Sequence, residues 1–250
     1  MGEDIAKDFF IHYYEVDYYK RATPWSLLNY LQETAFYHAD CAGDSQAVLA
    51  GQQLTWMIYK WHLKVHRYPC WKERITVKTW ISRYKSYIAF REFEIIDNKG
   101  EVLVEAGALA ILVDTIKNSP HKIDPQKRSL YGVDPTRSGR HRYENFSFNK
   151  EGAAKQTFLV RISDIDPNGH VNNSRYLDWF AEIIPLNILH TCTLGELEII
   201  YKKQIKYGQS ITVLAVPGNA NADKQEYYGE IMDNAGNTCA LIRSNWTAQT

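Results

Sequence analysis

The sequence predicts an α+β fold made of two copies of one unit, each with a long helix followed by antiparallel strands. Internal similarity is the first reason. Residues 15–17 align with residues 164–166 at an offset of 149, and residues 94–100 align with residues 230–236 at an offset of 136. Two collinear blocks with one deletion between them indicate a duplicated domain.

The alignment predicts three segments along the chain. Residues 1–116 form the first repeat, residues 117–149 a basic linker, and residues 150–250 the second repeat. Residues 117–142 contain seven Lys and Arg but only two acids, in a chain of zero net charge. This excess favours an acidic partner, although a solvated linker explains the charge equally well. The arginines predicted to meet that partner are Arg137, Arg140 and Arg142.

Local signals place one helix early in each repeat. In the first repeat, Thr23 is a suitable N-cap and Pro24 the first helical residue. Apolar residues then recur at intervals of three and four, which predicts one buried stripe. The stripe consists of Trp25, Leu28, Leu31, Ala35 and Phe36. Gly43 is expected to end this helix, and Pro185 to interrupt the helix predicted over residues 176–189.

Strands are predicted after each helix. In the first repeat, four segments are rich in β-branched and aromatic residues. They cover residues 55–65, 75–81, 88–96 and 102–113. Residues 97–100 and 233–236, both beginning Asp-Asn and ending in Gly, predict hairpin turns at aligned positions, because glycine accepts a positive φ.

The residues best suited to chemistry lie between Asp164 and Tyr176, in Asp-Ile-Asp-Pro-Asn-Gly-His-Val-Asn-Asn-Ser-Arg-Tyr. Two carboxylates, three carboxamides and an imidazole precede the second helix. The proline and glycine predict a turn, and Asn172 or Asn173 can cap the helix. An imidazole beside a helix N-terminus suits attack on a carbonyl group, because free amides there stabilise developing negative charge. A solvated Asx-rich turn is the simpler alternative.

Composition excludes several classes of function. The four scattered cysteines have no metal-binding spacing and are typical of free thiols in a reducing cytoplasm. The chain lacks an apolar run of the ~18 residues that a membrane span needs. Its first residues lack the pattern of a secretory signal, so we expect a cytoplasmic protein. The neutral net charge does not favour nucleic-acid binding, and neither a phosphate-binding glycine loop nor a GxSxG motif occurs.

The segment Asp164–Tyr176 closely resembles the signature Asp-x-Asp-x-Asn-x-His-Val-Asn-Asn-x-x-Tyr of acyl-acyl-carrier-protein thioesterases. Residues 14–17 and 27–35 resemble the same family, so the similarity spans both repeats. The resemblance implies two tandem hot-dog domains, each a long helix wrapped by an antiparallel β-sheet. It also implies hydrolysis of the thioester that joins a fatty acyl chain to acyl carrier protein. We expect this reaction to need no cofactor and no metal.

The catalytic Asp, Asn and His of the family pattern fall on Asp166, Asn168 and His170. The family also has a catalytic Glu, followed by Cys in plant members, on a strand after the second helix. Aligning the Tyr-basic-basic sequence ahead of it places these residues at Gln204 and Ile205, so neither is retained. A shift of a few residues would place the carboxylate at Glu196 or Glu198 instead.

The duplication predicts one active site per chain. At the offset of 149, Tyr19 stands at the position of Asn168. Arg21 stands at that of His170, whereas Asp17 is retained. The first repeat is therefore expected to have lost the catalytic set and to shape the acyl pocket.

Substrate contacts are predicted in both repeats. Backbone amides near Val171, Asn172 and Asn173 are expected to stabilise the oxyanion. Trp56 and Met57 are expected to line the acyl pocket, although ordinary sheet packing is the commoner role of such residues. His170 would orient or deprotonate water, with Asp166 as its charge partner or as the attacking carboxylate.

Other functions stay open at this point. A hot-dog thioesterase acting on acyl-coenzyme A is the nearest alternative, because coenzyme A also carries negative charge. Gln204 favours a protein that only binds acyl groups, and a dehydratase of the same fold would act on 3-hydroxyacyl chains. The predicted partner is acyl carrier protein bearing a fatty acyl chain, with no nucleic acid and no membrane. The sequence leaves open whether the chain forms a homodimer.

Overall fold

A computed structural model of the chain describes residues 5–136, the backbone of residue 137, residue 141, and residues 143–220 and 224–248. The chain divides into two compact units, and the boundary follows His141. Each unit pairs one principal helical segment with an antiparallel sheet, which confirms the predicted α+β class.

Unit 1 contains the first repeat. Its elements are β1 (Ile5–Phe10), α1 (Pro24–Cys41), α2 (Gln46–Gly51), β2 (Leu54–Val65), β3 (Arg74–Lys85), β4 (Ile88–Asp97), β5 (Val102–Asp114), β6 (Ser119–Pro120) and α3 (Pro125–Tyr131). The strands pair in the order β1-β3-β4-β5-β2, every pair is antiparallel, and β6 adds to β5. Helix α1 packs on β1 and β3.

Unit 2 repeats this plan. Its elements are β7 (Ala154–Leu159), α4 (Asn173–Ala181), α5 (Leu186–Thr191), β8 (Cys192–Tyr201), β9 (Ser210–Ala220), β10 (Lys224–Asp233) and β11 (Thr238–Ala248). The strands pair in the order β7-β9-β10-β11-β8, again antiparallel throughout. Since each strand occupies the place of its counterpart in unit 1, the duplication predicted from the offsets is confirmed.

The helix ends follow the local signals. The Thr23 side chain accepts a hydrogen bond from the backbone N–H of Ser26 at 3.3 Å, and Pro24 is the first residue of α1. Gly43 follows the end of α1 with a φ of 72°. Pro185 stands between α4 and α5, so it interrupts the second helical segment as predicted.

The buried face of α1 differs from the predicted apolar stripe. Leu28 and Leu31 are fully buried, but Phe36 is 44% exposed. Thr34 and His38 are buried instead. The Thr34 hydroxyl donates a hydrogen bond to the carbonyl of Tyr30 within the helix at 2.8 Å, so this buried polar group has a local partner. His38 needs a partner outside the helix.

The two predicted hairpin turns are built alike. Asp97 and Asp233 each accept the backbone N–H four residues later at 2.9 Å. Arg67 forms an ion pair with Asp97 at 3.3 Å. Lys203, which aligns with Arg67, forms an ion pair with Asp233 at 2.5 Å. Backbone hydrogen bonds lower the pKa of Asp97, whereas the bond from Lys203 is the main cause of the lowered pKa of Asp233.

Helix and sheet pack by different residue pairs in the two units. In unit 2, the Phe180 ring of α4 lies directly against Gly229 of β10. The aligned positions in unit 1 are Leu31 and Phe93, both buried. The large side chain thus comes from the helix in one unit and from the sheet in the other, which keeps the space between them filled.

The segment predicted as a linker differs in part from that prediction. Its first half belongs to unit 1, because β6 pairs with β5 and α3 packs on β3. Lys127, counted among the basic residues of this segment, is buried and binds Asp44 at 2.5 Å. It therefore cannot present its charge to a partner. None of the helices in the described ranges is long and apolar enough to cross a membrane.

Candidate active site

The loop before α4 is folded on itself by backbone hydrogen bonds. The N–H of Asp166 donates to the carbonyl of His170 at 2.8 Å, and the N–H of Gly169 returns to the carbonyl of Asp166 at 2.9 Å. Gly169 adopts a φ of 75°, which glycine permits at little cost. We call residues 164–172 the second-repeat loop.

This loop gathers three predicted catalytic side chains. Asp166 accepts the backbone N–H of Asn168 on Oδ1 at 2.9 Å, while the Asn168 carboxamide approaches Oδ2 at 3.4 Å. The imidazole of His170 is half-buried. Within the described residues it forms no hydrogen bond to the Asp166 carboxylate. The charge partnership between them therefore stays a prediction.

Gln204 lies in the loop between β8 and β9, not on a strand as predicted. Its side chain is exposed. The next residue, Ile205, is buried, and its carbonyl accepts the backbone N–H of Val171 at 2.9 Å. That bond holds the Gln204 loop beside the second-repeat loop, immediately after His170.

The start of α4 differs from the predicted oxyanion site. The N–H of Val171 is used by Ile205, and the N–H of Asn172 donates to the carbonyl of Asp164 at 2.9 Å. The Asn172 side chain caps the helix by accepting the N–H of Ser174 at 2.9 Å. The prediction that these amides stabilise an oxyanion is therefore wrong for Val171 and Asn172, because both are already bonded, and for Asn173 it stays a prediction.

Two tyrosines support the helix start. The Tyr201 hydroxyl donates to the carbonyl of Asn173 at 2.8 Å, and the rings of Tyr176 and Tyr201 meet edge to face at 5.1 Å. Burial raises the pKa of both phenols, so they stay protonated donors. The signal for Tyr201 is present in the sequence: it is the Tyr of the Tyr-basic-basic run ahead of Gln204.

The two alternative carboxylates lie along β8. Glu198 is buried and binds the guanidinium of Arg243. Glu196 accepts a hydrogen bond from the carboxamide of Asn245 at 3.2 Å. Their interactions run to β11, whereas the bond from Val171 reaches the Gln204 loop.

The first-repeat loop, residues 15–23, has the same backbone. The N–H of Asp17 donates to the carbonyl of Arg21 at 2.7 Å, and the N–H of Lys20 returns to Asp17 at 2.9 Å. The N–H of Ala22 donates to the carbonyl of Pro69 at 2.8 Å, matching the bond between Val171 and Ile205. The Arg21 guanidinium forms an ion pair with the Asp17 carboxylate at 2.9 Å. An ion pair thus stands where the second repeat has the His170 imidazole, which forms no ion pair with any of the described residues.

Two family models cover most of the chain. The acyl-ACP thioesterase N-terminal domain matches residues 2–131, and the acyl-ACP thioesterase C-terminal domain matches residues 148–248. The chain belongs to the acyl-ACP thioesterase family. The second-repeat loop lies within the C-terminal model, and the first-repeat loop lies within the N-terminal one.

Individual relatives agree with this family. The chain is 25% identical to a chloroplastic acyl-[acyl-carrier-protein] hydrolase of Cuphea viscosissima, over 98% of this chain and 63% of the relative. It is 27% identical to the chloroplastic oleoyl-acyl carrier protein thioesterase of Coriandrum sativum, over 86% of this chain and 63% of the relative. The chain therefore spans less than two thirds of the length of these curated relatives.

Solved thioesterase structures share the fold. A putative oleoyl thioesterase of Lactobacillus plantarum superposes with a TM-score of 0.91 at 25% identity, covering 100% of this chain and 98% of that one. The 12:0-ACP thioesterase of Umbellularia californica superposes with a TM-score of 0.86 at 22% identity, covering 98% of both chains. The tandem hot-dog architecture implied by the sequence is confirmed.

The remaining predicted site residues of this acyl-ACP thioesterase family member lie in unit 1 or outside the described chain. Trp56 and Met57 are partly buried on β2. The Trp56 indole donates to Asp44 at 3.0 Å, and the side chain packs against a buried cluster that includes Leu54, Ile81 and Leu112. The side chains predicted to bind the carrier lie outside the described residues: Arg137, Arg140 and Arg142. Across the described residues, no group of three or more His, Cys, Asp or Glu is placed to hold a metal ion.

Proposed function

We propose that this chain hydrolyses the thioester between a fatty acyl group and acyl carrier protein, releasing free fatty acid and the carrier. Family membership supports the reaction class. The observation that carries the proposal is the contrast between the two loops. They share their backbone hydrogen bonds, but the second-repeat loop alone has Asn168 and an imidazole free of any ion pair.

In the proposed reaction, the imidazole of His170 takes a proton from water as the water oxygen attacks the carbonyl carbon. The Asn168 carboxamide holds the water or the acyl oxygen. The C–S bond then breaks, and the departing thiolate receives the proton from His170. A thiolate leaves readily, so this reaction needs less help from an acid than amide hydrolysis does.

Asp166 has two possible parts in this scheme. Its carboxylate can stabilise the imidazolium that forms on His170, or it can attack the carbonyl carbon and give a mixed anhydride that water hydrolyses. Gln204 can only donate and accept hydrogen bonds, so it positions water or the acyl oxygen. The base or nucleophile must therefore come from Asp166 and His170.

A single-turnover release assay with a fatty acyl-carrier-protein thioester tests the proposal. We expect His170→Ala to lower the rate by on the order of 10²-fold or more. Tyr19→Phe and Arg21→Ala, at the aligned positions of the first repeat, should leave the chemical step nearly unchanged in folded protein. An equal loss in Arg21→Ala would refute the assignment to the second repeat.

The identity of the carrier needs its own comparison. We propose that acyl carrier protein is favoured over coenzyme A because of the basic residues after α3, with Lys127 excluded by its burial. Changing Arg137, Arg140 and Arg142 to Glu should raise the KM for the carrier-protein substrate and weaken its salt dependence. A small acyl thioester without a carrier should be hydrolysed as before. Equal loss on both substrates would mean that these residues serve structure.

We further propose a cytoplasmic location. The four cysteines are free thiols, two exposed and two buried, as expected in a reducing compartment. Fractionation of cells that produce the tagged chain tests this location. Homodimer formation is a separate question, which sedimentation over a range of protein concentrations answers.

A further inference from the structure

The Gln204 loop, which joins β8 to β9, is positively charged. It consists of residues 202–209, which contain three lysines and no acid. The carbonyl of Ile205 in this loop accepts the backbone N–H of Val171 at 2.9 Å, directly after His170. The charged loop is therefore fixed beside the second-repeat loop and its predicted catalytic side chains.

Two of the three lysines are not used in ion pairs within the described part of the chain. Lys203 forms an ion pair with Asp233 at 2.5 Å. Lys202 and Lys206 are exposed, and neither forms an ion pair with any described residue. They stand on either side of Gln204 in the chain. Their charges are therefore available to an anionic group that approaches the site.

The first repeat builds the aligned loop, residues 66–73, on the same backbone. In each unit the first two N–H groups of the loop donate to a single carbonyl at 2.8–3.2 Å. That carbonyl belongs to Leu103 in unit 1 and to Cys239, its aligned counterpart, in unit 2. The two loops can therefore be compared residue by residue.

The first repeat neutralises the positive charge of its loop. His66 lies 2.9 Å from Glu105, and Arg67 forms an ion pair with Glu73 at 2.7 Å. In the second repeat, uncharged residues stand at the positions of both acids: Leu241 and Gln209. The repeat that keeps the predicted catalytic side chains thus lacks the two acids that balance the loop of the other repeat.

Gln209 keeps the structural contact of the missing carboxylate. Glu73 accepts the backbone N–H of Cys70 at 2.8 Å, and the Gln209 carboxamide oxygen accepts the N–H of Lys206 at 2.7 Å. A carboxamide supplies the same acceptor without the charge. The fold therefore needs an acceptor at this position but not a negative charge, and the charge difference between the loops has a cause other than folding.

We propose that Lys202 and Lys206 bind the phosphate of the phosphopantetheine arm that joins the fatty acyl group to acyl carrier protein. This inference rests on the proposed thioesterase function. In such a substrate the acyl thioester ends the arm, and the phosphate lies at the opposite end. A thioester carbonyl held at His170 therefore leaves the phosphate at the surface around the site, where exposed ammonium groups attract it.

The contact should act on binding rather than on the chemical step. Two exposed ion pairs together should change kcat/KM by on the order of tenfold. Since the phosphate takes no part in thioester hydrolysis, the contact is equally strong in the ground state and in the transition state. Its loss should therefore raise KM rather than lower kcat. Added salt should weaken it.

The test compares fatty acyl-phosphopantetheine with fatty acyl-pantetheine, two thioesters that differ only in the phosphate. Wild type should hydrolyse the phosphorylated thioester with the higher kcat/KM. In the double variant Lys202→Gln/Lys206→Gln, the ratio of the two kcat/KM values should fall by on the order of tenfold. Lys202→Arg/Lys206→Arg keeps both charges and should retain most of the wild-type ratio. Circular dichroism confirms that each variant is folded.

A matched control removes two exposed lysines from the first repeat. Lys20→Gln/Lys72→Gln serves this purpose, because both ammonium groups lie over the Trp71 ring, at 5.8 and 4.3 Å from its centre. The control should keep the wild-type ratio. Equal kcat/KM values for the two thioesters in wild type, or an equal fall of their ratio in the control, overturns the inference.

Further substrates separate the phosphate from the rest of the carrier. Coenzyme A has a phosphate at the same place on its arm, so Lys202→Gln/Lys206→Gln should raise the KM for acyl-coenzyme A and for acyl carrier protein alike. A rise confined to acyl carrier protein would assign the lysines to the protein surface of the carrier and overturn the phosphate contact.

The proposed function can fail separately from this inference. It fails if wild type releases acid from none of these thioesters. Calorimetric titration with phosphopantetheine and with pantetheine then decides the inference. Wild type should bind phosphopantetheine more tightly than pantetheine, and the difference should disappear in Lys202→Gln/Lys206→Gln. Equal binding of the two compounds by wild type overturns the phosphate contact.

Discussion

The ring of Phe180 closes directly over Gly229: a β-carbon at position 229 would lie 2.4 Å from Cε2 of the ring. Real β-carbons do not approach other atoms so closely. Because the ring is fully buried, it cannot swing out to solvent. The absence of a side chain at Gly229 therefore allows α4 to pack closely on β10. A methyl group at this position must displace the helix or the ring.

We expect Gly229→Ala to destabilise the protein by about 1–3 kcal/mol, the usual cost of overpacking a core. Urea unfolding followed by circular dichroism measures it. Gly195→Ala is the matched control, because its β-carbon would meet the Thr247 hydroxyl at 2.9 Å, at the end of a side chain that can rotate away. An equal loss in the two variants would contradict the argument.

The same pair predicts non-additive energetics. Phe180→Leu alone opens a cavity, but combined with Gly229→Ala it makes room for the new methyl group. The double variant should therefore be more stable than the sum of the two single changes predicts. Strict additivity would show that Phe180 is not what excludes the side chain.

Gln204 gives a prediction about the chemical step. Gln204→Glu should be tolerated or faster, whereas Asp166→Asn should lower the single-turnover rate by on the order of 10²-fold or more. Glu198→Gln serves as the comparison. Since Glu198 binds Arg243, that change should lower the thermal midpoint rather than the rate. Activity surviving in Asp166→Asn but lost in Glu198→Gln would move the carboxylate role to β8.

His38 predicts a specific loss of stability in acid. Burial, with a further contribution from the charge of Arg91, lowers its pKa to about 3 in the folded protein, below the ordinary value of ~6.5 expected when unfolded. The unfolded chain therefore binds the proton first, and the stability contributed by neutral His38 is lost as the pH falls from about 6.5 toward 3. Between pH 7 and pH 5, wild type should lose about 2 kcal/mol more than His38→Gln.

Urea unfolding at the two pH values measures this difference. His66→Gln is the control, because the His66 side chain is half exposed and lies 2.9 Å from Glu105 on the surface. Its pH dependence should stay close to that of wild type. A His38→Gln variant with the full wild-type loss would show that another group carries the acid sensitivity.

The first repeat predicts the profile of released acids. Replacing Met57 by Trp should shift the preferred acyl chain to shorter lengths while changing the best-substrate rate less. Gas chromatography of the acids released from mixed thioesters measures the shift. Trp71→Phe, a change in a partly buried aromatic residue of the same unit outside the predicted pocket, provides the reference. An unchanged profile would assign Met57 to sheet packing only.

Features that depend on neighbouring residues could be predicted from the sequence. The ends of α1 could be predicted because each signal acts within one helical turn. Thr23 caps the first turn, Pro24 has a fixed φ that suits the first helical residue, and Gly43 accepts the positive φ that follows the last turn. The break at Pro185 has the same local origin. The repeat offsets predicted that the same elements recur in both halves of the chain, since they compare the chain with itself.

Features that depend on distant partners could not be predicted. His38 is buried in place of Phe36 because Arg91, from another strand, supplies its hydrogen bond. Lys127 is buried because it forms an ion pair with Asp44, so counting the basic residues of the segment overestimated the positive charge on the surface. At the site, the backbone N–H of Val171 donates to the carbonyl of Ile205 in the loop between β8 and β9. Sequence spacing predicts where a helix starts, but it does not show which backbone amides there already have hydrogen-bond partners.

The two loops also separate requirements that are usually inseparable. Lys20 holds a φ of 63° where the second repeat has Gly169 at 75°, and the bonds around them are the same. The first loop thus keeps the backbone of the site without its imidazole. Substitutions in the first-repeat loop should therefore be limited only by what the fold requires of the connection between strand and helix. Substitutions in the second-repeat loop should be limited by that requirement and also by the reaction. One chain therefore carries its own internal reference for distinguishing selection on folding from selection on chemistry.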